Sequence, residues 1–279
     1  LGQGAKPLLL NTIKAITRKS FRERRKVATA IPEPYWVSYP EHAKLCNTQV
    51  EYLDTTKEDN YRVTVPALEK VFGGYEDYQK VLILNSPSNP AGVVYRRDEL
   101  IEIAKFAVRN NIYILSDEIY GLLTFGDITH TSIASLEKEA PGIKKLTIVY
   151  AGLSKEVAAP GIRFGAAAVE DNELLKIIKD LTIAGPDKIC LGGALGIYKN
   201  YEQYIKFVEE HKKWLIERMQ KLRQTCDTLG IPYIEAQGGL YLFINVKEAF
   251  FGRVWRGKEI SNENFFDLPD GIFYQATHI

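Results

Sequence analysis

The chain has 279 residues, of which 46% are hydrophobic and 25% are charged. That balance is typical of a soluble globular protein that buries a core in one large domain, or in a large and a small one. The formal net charge of +1 gives no reason to expect nucleic acid or a membrane as a partner. No apolar stretch is long enough to span a bilayer, and no signal peptide is visible.

The three cysteines, Cys46, Cys190 and Cys226, are odd in number and far apart. This spacing argues against a disulfide framework and for a reducing compartment. Because no targeting signal is visible, we expect the cytoplasm. None of them belongs to a Cys-x-x-Cys pair, and we expect no metal site. The chain begins with Leu1 rather than methionine, and we expect an N-terminal segment to be missing.

Short apolar runs predict the sheet of the first part of the chain. A helical run covers residues 8–16, and four runs bounded by polar residues follow it at 81–84, 113–115, 146–150 and 164–169. Near-continuous apolar runs of this length are typical of strands buried on both faces. Apolar residues at helical spacing over 97–110 connect the first two strands in a βαβ unit. We therefore expect an α/β fold with a mostly parallel sheet sandwiched by helices, over residues 1–199.

The second part of the chain, residues 200–279, is predicted to be a smaller α+β unit. Its first element is one long amphipathic helix from about Tyr201 to Leu229, with Gly230 as a C-cap. Two strands, at 233–235 and 240–246, should then pair around the turn at 237–239.

A basic stretch interrupts this pattern near the start. It contains six basic residues and one acid, and the basic residues are Arg18, Lys19, Arg22, Arg24, Arg25 and Lys26. We interpret it as a solvated loop or helix end, and a nucleic-acid patch is the alternative.

One lysine has the surroundings of a nucleophile. Lys155 ends the run Gly152-Leu153-Ser154-Lys155, and Arg163 follows eight residues later. An amine that forms a Schiff base must be deprotonated, which a partly desolvated site or a cationic neighbour such as Arg163 favours. A surface lysine in a loop is the alternative.

Polar residues follow the predicted strands, where open α/β sheets bind ligands. Asp117 comes directly after an apolar strand, with Tyr120 three residues on, and a helix N-cap is its alternative role. Asn89 lies in Asn-Pro-Ala-Gly, which is also a plain turn sequence.

Two features near the start complete the predicted site. Gly4-Ala5-Lys6 precedes a helical run, as expected of an anion cradle made by backbone amides at a helix N-terminus. Trp36 lies in the aromatic run 34–40, and a core tryptophan is the alternative.

Together these motifs resemble the pyridoxal-phosphate site of the class I/II aminotransferases, the fold-type-I family of aspartate aminotransferase. The resemblance runs from Gly2 to about Val246. It implies pyridoxal 5′-phosphate as cofactor and Lys155, Asp117 and Tyr120 as catalytic residues. It also implies that the cofactor is bound by these three and by Gly4, Ala5, Lys6, Trp36, Asn89, Ser154 and Arg163.

The resemblance further implies an activity and a mode of assembly. Lys155 would carry the cofactor as a Schiff base, and an amino group would pass from an L-amino acid to a 2-oxo acid. Family members are usually homodimers, so a second copy is the expected protein partner. A carbon–sulfur or cyclising lyase on the same fold and a non-catalytic truncated homologue are the alternatives, since fold does not determine function.

The resemblance has a gap near the C-terminus. The family's arginine for the substrate carboxylate should follow a Pro-Gly turn, and the tail at 267–273 stops short of one. Arg253 and Arg256 come too early to replace it. Cofactor binding is thus better supported than turnover.

Overall fold

A computed structural model describes residues 1–255 and 257–261. Arg256 and the tail at 267–273 lie outside the described residues. The helices are α1 Ala5–Arg22, α2 Ser38–Leu45, α3 Val65–Phe72, α4 Arg97–Arg109, α5 Ile143–Leu146, α6 Leu153–Glu156, α7 Asn172–Leu181, α8 Lys188–Lys199, α9 Tyr201–Leu229 and α10 Val246–Phe250. The strands are β1 Val27–Pro32, β2 Gln49–Leu53, β3 Gln79–Asn85, β4 Ile112–Asp117, β5 Thr147–Gly152, β6 Gly165–Val169, β7 Tyr233–Ile234, β8 Phe243–Ile244, β9 Val254–Trp255 and β10 Lys258–Glu259.

Six strands form the main sheet in the order β2-β1-β3-β4-β5-β6. The strands β1 to β5 pair in parallel, and β6 pairs with β5 in the antiparallel direction. The expected α/β fold with a mostly parallel sheet is confirmed. The four predicted strands correspond to β3, β4, β5 and β6.

Both faces of this sheet are buried, which explains the near-continuous apolar runs. In β3, Val81 and Ile83 join the cluster that packs against α1, α2 and α7. Leu82 and Leu84 of the same strand join the cluster on the opposite face, with α3, α4 and α5. The alternation of side chains along a strand places neighbours on opposite faces, so both faces need apolar residues.

The first helix is longer than predicted and takes in half of the basic stretch. Because α1 runs to Arg22, Arg18 and Lys19 lie in its last turns, where basic side chains interact favourably with the helix dipole. Lys19 Nζ is 2.8 Å from Asp171 Oδ2, and Arg25 Nη2 donates to Tyr78 O at 2.6 Å. Two of the six basic residues therefore have intramolecular partners, and the interpretation as a helix end is confirmed.

The long helix α9 has the predicted bounds, and Gly230 is left-handed with φ 63°. The strands after it are shorter than predicted, because β7 and β8 contain two residues each. The segment between them is bonded elsewhere: the N–H groups of Gln237 and Gly238 both donate to Gly92 O. These bonds tie the segment to the loops of the main sheet and leave few residues to form a strand.

Candidate active site

The carboxyl ends of the parallel strands surround a cavity of about 220 Å³. Nine of the ten predicted site residues line it: Ala5, Lys6, Trp36, Asn89, Asp117, Tyr120, Ser154, Lys155 and Arg163. The tenth, Gly4, is the N-cap of α1, directly before two of them. The structure thus brings together residues that are spread over 160 positions of the chain.

Lys155 lies in the single turn of α6, directly after β5. Its side chain reaches the cavity, and burial lowers the pKa of its amine below the ordinary value. The chain therefore holds a lysine that is easier to deprotonate than a surface lysine, as a nucleophilic amine requires.

Asp117 ends β4 and is a buried carboxylate beside the same cavity. Burial raises its pKa, and a hydrogen bond of 2.7 Å that the Tyr39 hydroxyl donates to Oδ2 acts in the opposite direction. Its Oδ1 accepts a bond of 3.3 Å from the Ile119 N–H, within a loop rather than at the start of a helix. The N-cap alternative for Asp117 is therefore wrong, and its carboxylate faces the cavity.

A network of hydroxyl and amide groups forms another wall. Asn89 Nδ2 donates to the Tyr241 hydroxyl at 3.2 Å, and the Tyr120 hydroxyl lies 3.2 Å from the same oxygen. The Asn89 N–H donates to Asn85 Oδ1 at 2.7 Å, which orients the turn. Burial raises the pKa of Tyr120 well above its ordinary value, so this hydroxyl stays protonated and available as a donor.

The N-terminus of α1 and Arg163 form a cradle at one end of the cavity. Gly4 caps the helix with φ 94° and makes no side-chain cap, which leaves the first N–H groups of α1 for a ligand. The Arg163 guanidinium donates to Gln3 O at 3.0 Å and to Pro160 O at 2.7 Å. The φ of 94° at Gly4 is one that other residues rarely adopt, and a Cβ atom there would lie 2.6 Å from Arg163 Nη2 and displace the guanidinium. This arrangement suits a phosphate group.

Trp36 lies at the edge of the cavity with aromatic neighbours. Its ring meets Tyr39 edge-on with centroids 5.4 Å apart, and the Lys6 Nζ lies 5.3 Å from its centroid. Trp36 is half-buried: it packs against the core cluster that contains α1 and α2 residues, and it also lines the cavity.

Two tyrosines, Tyr39 and Tyr241, are among the cavity-lining residues that were not predicted from the sequence. Tyr39 supports Asp117, and Tyr241 contacts both Asn89 and Tyr120. Tyr39 lies in the same aromatic run, 34–40, as Trp36, and that run was a usable signal. Tyr241 lies in a segment that we expected to be a strand, and nothing local in it indicates a site.

Behind Asp117 lies a second polar cluster, which the sequence did not predict. The Glu118 carboxylate accepts hydrogen bonds from the hydroxyls of Ser116 at 2.8 Å and Ser132 at 2.7 Å. His130 Nε2 lies 3.0 Å from its other oxygen. Because Glu118 adjoins Asp117 in the chain, this cluster anchors the loop that carries Asp117 and Tyr120.

A larger cavity of about 750 Å³ lies against α9, lined by Arg62, Phe125 and Arg223 among others. None of the predicted site residues lines it, so the smaller cavity is the candidate active site.

Within residues 1–255 and 257–261, no group of three or more His, Cys, Asp or Glu side chains is placed to hold a metal ion. In the same part of the chain, no helix combines the length and apolar character that crossing a membrane requires.

A profile of the family "Aminotransferase class I and II" matches residues 10–267. The chain belongs to this family. Aminotransferases of this class are pyridoxal-phosphate enzymes, and the cavity fits that cofactor: it combines an anion cradle, an aromatic ring, a buried carboxylate and a lysine with lowered pKa.

Among the relatives is an aspartate aminotransferase of Bacillus sp. (strain YM-2), which is 35% identical over 89% of this chain. An asparagine–oxo-acid transaminase of Streptococcus mutans is 30% identical over 89% of the chain. The chain spans 60% of the length of each of these two proteins. An aromatic aminotransferase from Pyrococcus horikoshii OT3 has a similar structure, with a TM-score of 0.78 and 29% identity over 88% of this chain and 62% of the other.

Proposed function

We propose that this chain is a pyridoxal-phosphate-dependent aminotransferase that moves an amino group from an L-amino acid to a 2-oxo acid. The observation that carries the proposal is the convergence of Lys155, with its lowered pKa, and the buried carboxylate of Asp117 on one cavity with an anion cradle. A surface lysine and a plain helix cap would not meet in this way.

Each part of the cavity has a proposed role toward the cofactor. The α1 N-terminus at Gly4, Ala5 and Lys6, together with Ser154 and Arg163, would hold the phosphate. Trp36 would pack on the pyridine ring, and Asp117 would hold the ring nitrogen. Asn89 and Tyr120 would contact the phenolic oxygen, and Lys155 would hold the aldehyde carbon.

When bound, pyridoxal phosphate supplies an electron sink that makes the α-proton of an amino acid removable. The chain supplies the proton carrier. Lys155 can take up and return a proton because burial lowers the pKa of its amine towards working pH. Asp117 is held as an acceptor by the Tyr39 hydroxyl, so its carboxylate keeps a protonated ring nitrogen in place.

The substrate is proposed only as a class. The names of the relatives refer to aspartate, to asparagine with an oxo acid and to aromatic amino acids, so they differ in the side chain of the donor. The features that these donors share are the α-amino and α-carboxylate groups. The amide of Asn89 and the hydroxyl of Tyr241 are two neutral donors of the cavity wall that would meet that carboxylate.

We also propose the organisation of the protein. The division into a cofactor-binding domain, residues 1–199, and a second part, residues 200–279, is supported by the position of Asn200 between α8 and α9.

A cytoplasmic homodimer that acts in the biosynthesis of amino acids is supported by the resemblance. Ile183 and Ile189 are 96% and 88% exposed, which favours an interface with a second copy. The three free cysteines suit a reducing compartment.

The decisive experiment is a visible absorbance titration of the purified chain with pyridoxal phosphate, followed by borohydride reduction and peptide mapping. We expect a Schiff-base absorbance band and a stable adduct on Lys155. Lys155→Ala should lose both the adduct and transamination. Lys176→Ala, at an exposed lysine of α7 that does not line the cavity, is a matched control that should keep both. Adducts scattered over surface lysines, or full transamination by Lys155→Ala, would rule out the proposal.

A second assay separates reaction types. A transaminase needs a 2-oxo acid acceptor for turnover, whereas a lyase does not. We expect product only when an acceptor is present. Product formed without an acceptor would contradict the proposed amino transfer and would indicate an elimination reaction at the same site.

A further inference from the structure

The residue that follows Lys155 is a buried acid in contact with α9. Glu156 is only 5% exposed, and its carboxylate Oε2 accepts a hydrogen bond of 2.5 Å from the Tyr204 hydroxyl. Tyr204 belongs to α9 and is 6% exposed. Lys155 lines the active-site cavity, so the one-turn helix α6 presents one residue to the cavity and the next to α9.

A second side chain of α9 holds the same residue by its backbone. His211 Nδ1 lies 3.1 Å from the Glu156 carbonyl oxygen. His211 follows Tyr204 by seven positions, which places both on one face of the helix. Leu153 of α6 and Val208 of α9 pack in the same buried cluster. The helix α9 therefore contacts the lysine turn through a carboxylate, a carbonyl and an apolar patch.

The titratable groups around the two neighbours differ. Those that face Glu156 are Tyr204 and His211 on α9 and Tyr198 on α8. Those that share the cavity with Lys155 are Lys6, Tyr39, Asp117, Tyr120, Arg163 and Tyr241. Burial raises the pKa of Glu156, and the hydrogen bond from Tyr204 opposes that change. Loss of such a donor leaves a buried carboxylate without its hydrogen bond, which costs free energy. We therefore expect α6, which carries Glu156, to shift towards water.

We propose that Glu156 and Tyr204 form a positioning pair that holds the turn of Lys155 against α9 and keeps the lysine amine in the buried cavity. The pair rests on the proposed function, in which Lys155 is the cofactor lysine. The pair thus links the lysine turn to α9, the helix that precedes β7 and β8.

The test measures the Lys155 amine itself, in the 279-residue chain without cofactor. Labelling with acetic anhydride over a range of pH, followed by peptide mapping, gives the apparent pKa of Lys155. Tyr204→Phe keeps the packed ring and removes the hydrogen bond. We expect the turn to loosen and the apparent pKa to rise by about half a unit towards its ordinary value, which means about threefold slower labelling below that pKa.

Three comparisons make the result specific. Tyr201→Phe makes the same change on α9 at a residue that is 62% exposed, and it should leave the profile unchanged. Glu156→Gln keeps an oxygen that can accept from Tyr204 and should stay close to wild type. Glu156→Leu has no acceptor, so its Lys155 labelling profile should match that of Tyr204→Phe. It serves as the test variant if Tyr204→Phe fails to fold.

A reference lysine reports general loosening in the same digest. Lys19 is paired with Asp171 at 2.8 Å, far from α9 in the chain, and its labelling should not change. An unchanged Lys155 profile in Tyr204→Phe, or an equal shift in Tyr201→Phe, would overturn the positioning pair. Absence of a borohydride adduct on Lys155 in the wild type would instead overturn the proposed function, and the labelling profiles would still decide the role of the pair.

Discussion

Replacing Tyr39 by phenylalanine removes the hydroxyl that donates to Asp117 Oδ2 over 2.7 Å and keeps the ring that packs edge-on against Trp36. Tyr39 is 3% exposed and Asp117 is 6% exposed, so water does not replace the lost donor easily. A hydrogen bond to an ionised group contributes about 1.5–3 kcal/mol. That free energy corresponds to a further rise of about one to two units in the pKa of Asp117.

The effect of this bond on stability depends on pH in a defined direction. Burial raises the pKa of Asp117 above its unfolded value, so stability falls as the pH rises from the unfolded to the folded pKa. The Tyr39 bond stabilises the ionised carboxylate and reduces that loss. Its contribution is therefore present above the folded pKa and disappears as the pH falls through it.

The assay is urea unfolding of the cofactor-free chain from about pH 4 to about pH 8. The stability gap between wild type and Tyr39→Phe should widen with pH towards about 1.5–3 kcal/mol. Tyr95→Phe is the control, because its buried hydroxyl accepts from the neutral Val63 N–H at 3.0 Å, and its gap should stay constant. A gap for Tyr39→Phe that is equally constant would refute the reasoning.

Two further changes test the cradle and the cluster behind Asp117. Gly4→Ala places a carbon 2.6 Å from Arg163 Nη2, and we expect about tenfold weaker pyridoxal phosphate binding in an absorbance titration. Gly126→Ala, which also has a positive φ but meets open space, is its control, and equal affinities for the two variants would contradict the cradle. Glu118→Gln replaces one oxygen of the carboxylate that meets Ser116, Ser132 and His130 by an amide nitrogen, which cannot accept a hydrogen bond. We expect the free energy of unfolding, measured in urea, to fall by about 1–3 kcal/mol. Wild-type stability of that variant would show that the cluster does not anchor the loop.

The parts of the fold that depend on local periodicity were predictable. The strands β3 and β4 are buried on both faces, so every residue of their central runs had to be apolar. The helix α9 has an amphipathic pattern and a left-handed glycine after it, and both signals are local. The antiparallel direction of β6 was not predictable, because it depends on the path of the chain after the lysine turn rather than on the residues of the strand.

The site was predictable where motifs follow strands, and not where contacts join distant segments. Asp117 and Lys155 come directly after β4 and β5, so the strand-end rule was sufficient to bring them together. Tyr241 meets Asn89 only because the backbone near Gln237 bonds to Gly92 O across the fold. Nothing in the residues around Tyr241 encodes that docking.

The phosphate cradle is closed by strand-like bonds between the first residues and β6. The Gly2 N–H donates to Gly165 O at 2.9 Å, and the Gly165 N–H donates to Gly2 O at 3.0 Å. A Cβ atom at Gly165 would lie 2.4 Å from the Gly4 carbonyl carbon, so the two segments touch backbone to backbone. During synthesis on a ribosome, α1 would emerge long before Arg163. A nascent chain would thus be unable to form the cradle until β6 has been synthesised and has paired with the first residues. We therefore expect the cofactor to bind late in folding.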